Sequence, residues 1–256
     1  MSGNMGKAPV ILAIETSSRT GSVALGIGGK ILHEASFSGF MRHSAEIFPA
    51  IAALLEKANV KPGEIEHLYI SNGPGSFTGL RIGTSIAKMM FLANSLKVVA
   101  VDSLDVIASN AVEAIRQKEQ RVDPQVKAGK DKIQKIAAIL DAKRAQFFIA
   151  LYNIVRQDAR VRMEKVVPDC LISADEFLQR YATGPDSIWL LGDGLVYHHR
   201  EFQAQGTYLM EEEYWSPRAA GVYSLGWETA QKEEFADPVS LKPNYLCRPV
   251  ISVKQR

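Results

Sequence analysis

The residues in this chain with the most chemical promise are glycines rather than acids or nucleophiles. The run Gly73-Pro74-Gly75-Ser76-Phe77-Thr78-Gly79 stands between a strand pattern and a helix pattern. Backbone amides of such a loop can hold a phosphate at the helix N-terminus, and a tight strand-to-helix turn with no ligand uses the same residues. It is neither a Walker A loop nor a dinucleotide fingerprint, because Thr78 stands where each requires a glycine. A second glycine turn, Gly192-Asp193-Gly194, follows another apolar run. Asp141 ends an apolar strand and precedes Ala142-Lys143-Arg144, a position from which an acid can hold metal or nucleotide, or simply form a turn. Histidines 33, 43, 67, 198 and 199 give no HExxH or comparable ligand pair. Phe77 occupies the serine position of a Gly-x-Ser-x-Gly elbow. These residues do not make a self-sufficient active site.

The surrounding patterns say what must position these loops. Val10–Glu15, Ser22–Ile27 and Lys30–Phe37 read as strands, with Gly28-Gly29 as a hairpin turn. A helix is predicted from Ser44, with Ile47, Phe48, Ile51, Leu54 and Leu55 at helical spacing and Pro49 inside it. A strand at His67–Ser71, a helix to Asn94, a strand at Lys97–Val101 and a helix from Ser103 to about Arg116 follow. After them come strands at Ile136–Leu140, Gln146–Asn153 and Val161–Val167, then a helix opened by Ser173 with Glu176 as a capping box. Ile188–Leu191 reads as a further strand. Two units that each begin with three strands imply an internal duplication. The expected division is 1–112, a basic linker 113–135, and 136–256, with the terminal helix packing back on the first unit. Within the predicted helix, Gly79, Gly83 and Ala87 share one face. Glycine inside a helix costs about 0.5–1 kcal/mol relative to alanine, so the stripe implies close approach of other backbone, from this chain or from a partner helix.

Composition narrows the classes. The 256 residues are 46% hydrophobic and 23% charged with a formal net charge of +2, which excludes intrinsic disorder. No segment reaches the roughly 18 uninterrupted apolar residues of a membrane span. Cys170 and Cys247 form no CxxC pair and fit inert thiols of a reducing compartment, so the cytoplasm is the expected location. Arg116–Lys135 carries seven basic and three acidic residues, a solvated segment or a set of contacts to nucleic-acid phosphates.

Several motifs together carry a family resemblance. Leu12-Ala13-Ile14-Glu15-Thr16-Ser17, Gly21-Ser22-Val23-Ala24-Leu25, Arg42-His43-Ser44, the run from Gly73 through Leu80-Arg81-Ile82-Gly83, Val101-Asp102-Ser103-Leu104 and Pro243-Asn244-Tyr245-Leu246 are similar to the bacterial TsaB (YeaZ) family, once labelled glycoprotease-like. The resemblance implies an α/β chain of the actin-like, sugar-kinase and Hsp70 type, a duplicated ribonuclease H-like fold. It implies a non-catalytic scaffold or activator in making threonylcarbamoyladenosine beside the anticodon of tRNAs that read ANN codons. The catalytic paralog TsaD would carry metal and nucleotide, the ATPase TsaE would join, and tRNA would be met through the assembled complex. The metal-binding histidines of that paralog fall here on Ser103 and Ile107, so this chain is expected to hold no metal or cofactor of its own. The alternatives are an ATP-dependent phosphotransferase of the same fold and a metallopeptidase.

Two sets of site residues follow from these readings. Gly73, Gly75, Gly192 and Gly194 are the expected remnants of nucleotide loops. Ile47, Phe48, Ile51, Gly79, Gly83 and Ala87 are the expected partner face, available for self-pairing when the partner is absent.

Overall fold

The computed structural model describes residues 8–38, 43–121, 133–157 and 160–246. Arg42, Cys247 and residues 122–132 of the basic segment 113–135 therefore lie outside the described residues. The first half contains β1 (Val10–Glu15), β2 (Thr20–Ile27), β3 (Lys30–Ser38), α1 (His43–Ala58), β4 (Ile65–Ser71), α2 (Phe77–Asn94), β5 (Lys97–Val101) and α3 (Ser103–Arg121). The second contains β6 (Lys135–Lys143), β7 (Gln146–Gln157), β8 (Arg160–Ile172), α4 (Ala174–Tyr181), β9 (Ile188–Leu191), α5 (Leu195–His198), β10 (Thr207–Leu209) and α6 (Ala219–Ala230).

Continuous apolar runs become central strands because both of their faces are covered. All six residues of β1 are buried, and β1 pairs antiparallel with β2 and parallel with β4. The first sheet runs β3-β2-β1-β4-β5. The second, read from its far edge, runs β8-β7-β6-β9-β10. The five strands of each half take the same places and the same directions, three antiparallel and then two parallel. The duplication is thus present strand by strand. The chain is α/β, of the actin-like type with two ribonuclease H-like units.

Helices α1 and α2 cover one face of the first sheet through Ile47, Ile51, Leu54, Ile86 and Ala87, packed over Leu12, Ile14 and Leu68. Its other face, with Ile11, Ala13, Ala24 and Tyr69, is covered by α6 from the far end of the chain. Helix α3 in turn packs on the second sheet, where Leu104, Ile107, Ala108 and Ala111 are fully buried. By its contacts α3 packs on the second half, so the boundary expected after residue 112 falls inside a helix, and α6 packs on the first half. The sequence pattern also ends β6, β7 and β8 too early and misses β10, whose three residues are too few to show a period.

Tyr223 of α6 fastens the exchange. Its ring is buried, and its hydroxyl donates to the Gly28 carbonyl at 2.6 Å in the β2–β3 turn. Replacing Tyr223 with Phe strands that carbonyl inside the protein. The expected cost is about 1–2 kcal/mol, measured as a lower urea midpoint with an unchanged slope.

Candidate functional site

The exits of β1, β6 and β9 meet between the two halves, where proteins of this architecture bind ligands. Strand β1 ends in Glu15, and residues 16–19 turn the chain into β2. Glu15 is fully buried; its Oε1 accepts from the Ser17 amide at 2.5 Å and the Ser17 hydroxyl at 2.6 Å. Its Oε2 has no hydrogen-bond partner among the described residues. Burial pushes this carboxyl up to about 7, against the opposing pull of the Ser17 donors.

The Gly73–Gly79 run is sewn to that turn. The Ser76 amide donates to the Ser17 carbonyl at 2.7 Å, and the Thr16 hydroxyl donates to the Gly79 carbonyl at 2.9 Å. Ser76 caps α2, its hydroxyl accepting from the Gly79 amide at 3.3 Å. A Cβ at Gly75 would lie 2.4 Å from the Ser17 carbonyl oxygen, and one at Gly79 would lie 1.8 Å from that of Thr16. The α2 N-terminus therefore meets this chain's own carbonyls.

The other glycines have the same explanation. A Cβ at Gly73 would meet the Asn244 carbonyl oxygen at 2.5 Å, one at Gly192 the Ile139 carbonyl oxygen at 2.0 Å, and one at Gly194 the Asp141 amide at 2.9 Å. Gly73, Gly75, Gly192 and Gly194 serve the packing of backbone on backbone. Their expected role as nucleotide-loop remnants is corrected on that ground.

Arg19 reaches across the junction from the first half to the second. Its guanidinium lies 3.7 Å from Asp141 and 4.3 Å from the centroid of the Tyr197 ring. Its amide faces Asp193 at 3.4 Å. Burial pushes the Asp193 carboxyl up to about 6, with Arg19 opposing. Burial also works against ionisation of Asp141, but the Lys143 amide at 2.7 Å and ammonium at 2.6 Å hold that carboxyl below its ordinary range. Lys143, Arg144 and Ala145 have φ of 71°, 57° and 55°, so the β6–β7 turn takes a left-handed backbone without glycine, and side chains project where a phosphate loop is bare. Backbone fills the space beside these glycines, and Arg19 crosses the junction between the halves. Among the described residues, no group of three or more His, Cys, Asp or Glu side chains could hold a metal ion. Cys170 is half-buried, with its Sγ 3.3 Å from the Ile149 carbonyl, and burial pushes the thiol up, away from reactivity.

The expected partner face divides in two. Gly79, Gly83 and Ala87 are buried against this chain, and a Cβ on Gly83 would meet the Thr16 hydroxyl at 3.0 Å. Ile47 and Ile51 are buried in the same core. These five are corrected as docking residues. Phe48 alone of the set is exposed, at 53%. The apolar residues that spacing overlooked are Met89 and Leu92 on α2, 52% and 79% exposed.

Residues 33–211, more than half of the chain, match the family model described as "TsaD: tRNA N6-adenosine threonylcarbamoyltransferase". The chain belongs to that family. Within it, the similarity is to TsaB members. A Bacillus subtilis "tRNA threonylcarbamoyladenosine biosynthesis protein TsaB" is 28% identical over 92% of this chain and 93% of its own length. The Escherichia coli TsaB is 36% identical over 40% of this chain and 43% of its own. The solved structure of YeaZ from Pseudomonas aeruginosa shares the fold with a TM-score of 0.71 at 22% identity, covering 93% of this chain and all of that one. At the two positions matched to the paralog's histidines, Ser103 is buried with its hydroxyl accepting from the Gly73 amide at 3.1 Å, and Ile107 lies in the second core.

The buried Glu15 gives a pH signature. Its folded form retains a proton between about pH 4.5 and 7 that the unfolded chain releases, so its contribution to stability falls as pH rises through that window. Relative to Glu15→Gln, the wild-type chain is expected to lose up to about 3 kcal/mol more unfolding free energy between the two ends of this range. Urea melts of both proteins across the range measure it; parallel curves contradict it.

Proposed function

We propose that this chain is the non-catalytic scaffold and activator subunit of the complex that transfers a threonylcarbamoyl group to the adenosine beside the anticodon of ANN-reading tRNAs. Its family membership and the biosynthesis named in its TsaB relatives support that assignment. The observation that carries the non-catalytic half is the blocked cleft, in which Arg19 spans from one half to Asp141 and Tyr197 of the other. Catalysis, nucleotide and metal then belong to a TsaD-like paralog, with the ATPase TsaE joining and tRNA engaged by the assembly in the cytoplasm. Titrating ATP and magnesium into the isolated chain by calorimetry is expected to give no micromolar binding. Micromolar binding with turnover would replace this reading with a phosphotransferase.

The paralog would dock on the outer surfaces of α1 and α2, where Phe48, Met89 and Leu92 are exposed over a helix layer whose inner side is already used. The same surface would pair two copies when the paralog is absent. Introducing charge with Phe48→Glu and Leu92→Asp desolvates carboxylates in such a contact. Co-purification with the paralog is expected to fall at least tenfold while Tm stays within about 2 °C of wild type, as surface changes usually do. Undiminished co-purification would move the interface elsewhere.

A further inference from the structure

A pocket of about 280 Å³ lies between α2 and the extended segment that follows α6. Arg81, Thr84, Ser85 and Lys88, one face of α2, form one wall; Lys242 and Tyr245 stand on the other. The lining holds three cations and no acid. None of the three cations makes an ion pair among the described residues. Lys88 donates to the Val239 carbonyl at 3.1 Å, with Asp237 in range of its charge.

The arrangement is held in place rather than left to a mobile surface. The Arg81 guanidinium sits 3.8 Å from the centroid of the Phe77 ring, and its Nε donates to the Tyr245 hydroxyl at 3.3 Å. Phe77 and Tyr245 pack with ring centroids 4.9 Å apart. Stacking and the Nε bond fix the plane of the guanidinium, and its terminal amines make no hydrogen bond among the described residues. Thr84 is only 6% exposed, and its hydroxyl has no hydrogen-bond partner among the described residues.

We propose that this pocket binds a single phosphate group. Arg81, Lys88, Lys242 and the Ser85 hydroxyl offer more donors than the two oxygens of a carboxylate can use, and a tetrahedral oxyanion suits them. The volume, about 280 Å³, lies just under the range of about 300–1,000 Å³ typical of small-molecule pockets, so the lining suits one phosphate group rather than a larger ligand. The phosphate has two possible sources, an RNA backbone and a free phosphate compound. Only the choice of a tRNA probe rests on the function proposed above, and paralog co-purification tests that function separately.

The test uses the full chain with the Arg81→Glu/Lys242→Glu double variant and Thr84→Val, each checked for wild-type Tm. Binding of an unmodified tRNA transcript is followed by anisotropy over a salt series, and pyrophosphate is titrated separately by amide NMR at Thr84 and Ser85. For a backbone phosphate, the double variant is expected to weaken transcript binding at least tenfold and to flatten the slope of log K against log salt by about two. Thr84→Val, whose hydroxyl lies beneath the pocket wall, is expected to leave it unchanged. If only pyrophosphate binding responds to the variants, the pocket stands with a free phosphate compound as its ligand. If neither probe binds, or both bind all variants equally, the proposal is overturned.

Discussion

Each half of this molecule is completed by a helix from the other. The first sheet lacks a cover for Ile11, Ala13 and Tyr69 until α6 arrives, and the second lacks one for its inner face until α3 crosses to it. Burying one large apolar side chain contributes about 1.5–3 kcal/mol, and α3 alone places Leu104 and Ile107 fully inside the second core. The Arg19–Asp141 ion pair, at 3.7 Å a long one, contributes on the order of 1 kcal/mol. The relative placement of the halves therefore follows from the exchanged helices. Arg19 occupies a cleft whose geometry is already set, and its effect is on what can enter rather than on whether the halves stay together.

That order of magnitudes explains how a binding architecture can be retained without its ligand. The β1 exit, the α2 N-terminus and the β9 turn are where this fold gathers ligand contacts, and all three are still built. Their glycines remain necessary because the backbones touch: side chains at Gly75, Gly79 and Gly192 would overlap the carbonyls of Ser17, Thr16 and Ile139. Selection for packing alone preserves such a sequence. A glycine-rich loop is thus a record of close approach, and the approaching group here is the protein itself.

Much of the architecture was legible in the sequence, because apolar periodicity and turn chemistry are local. The Gly28-Gly29 hairpin, β5, the α2 terminus at Asn94 and the Ser173 cap, whose hydroxyl accepts from the Glu176 amide at 3.2 Å, all lie where the patterns put them. Periodicity gives the apolar face of a helix but not the sheet that receives it, so the destination of α3 was hidden. The spacing of Gly79, Gly83 and Ala87 signalled contact without naming the contacting group. Apolar spacing on α1 likewise mixed core residues such as Ile47 with the exposed Phe48. The phosphate pocket was invisible for a different reason. Arg81 and Lys242 lie far apart in the chain, and only the return of the segment after α6 to the side of α2 makes them neighbours.

The acidic constellation at the start of α3 obeys the same logic. Asp102 accepts from the Leu104 amide at 2.8 Å and so caps α3, while Asp105 accepts from the Tyr152 hydroxyl at 2.7 Å on the second sheet. Lys165 of β8 lies 3.3 Å from Asp102 and 2.8 Å from each of Asp105 and Asp169. Burial, the Asp169 hydrogen bond and the Asp105 charge together raise the Asp102 carboxyl far above its ordinary range. Lys165 sets one ammonium among the three carboxyls, in the space a metal ion would need. These groups fix the first turn of α3 to the strands of the other half, at the point where the crossing helix leaves β5. Their charge is consumed in the same exchange that defines the fold, so this acidic cluster reads as a tether, whereas the acid-free lining beside α2 reads as a binding site.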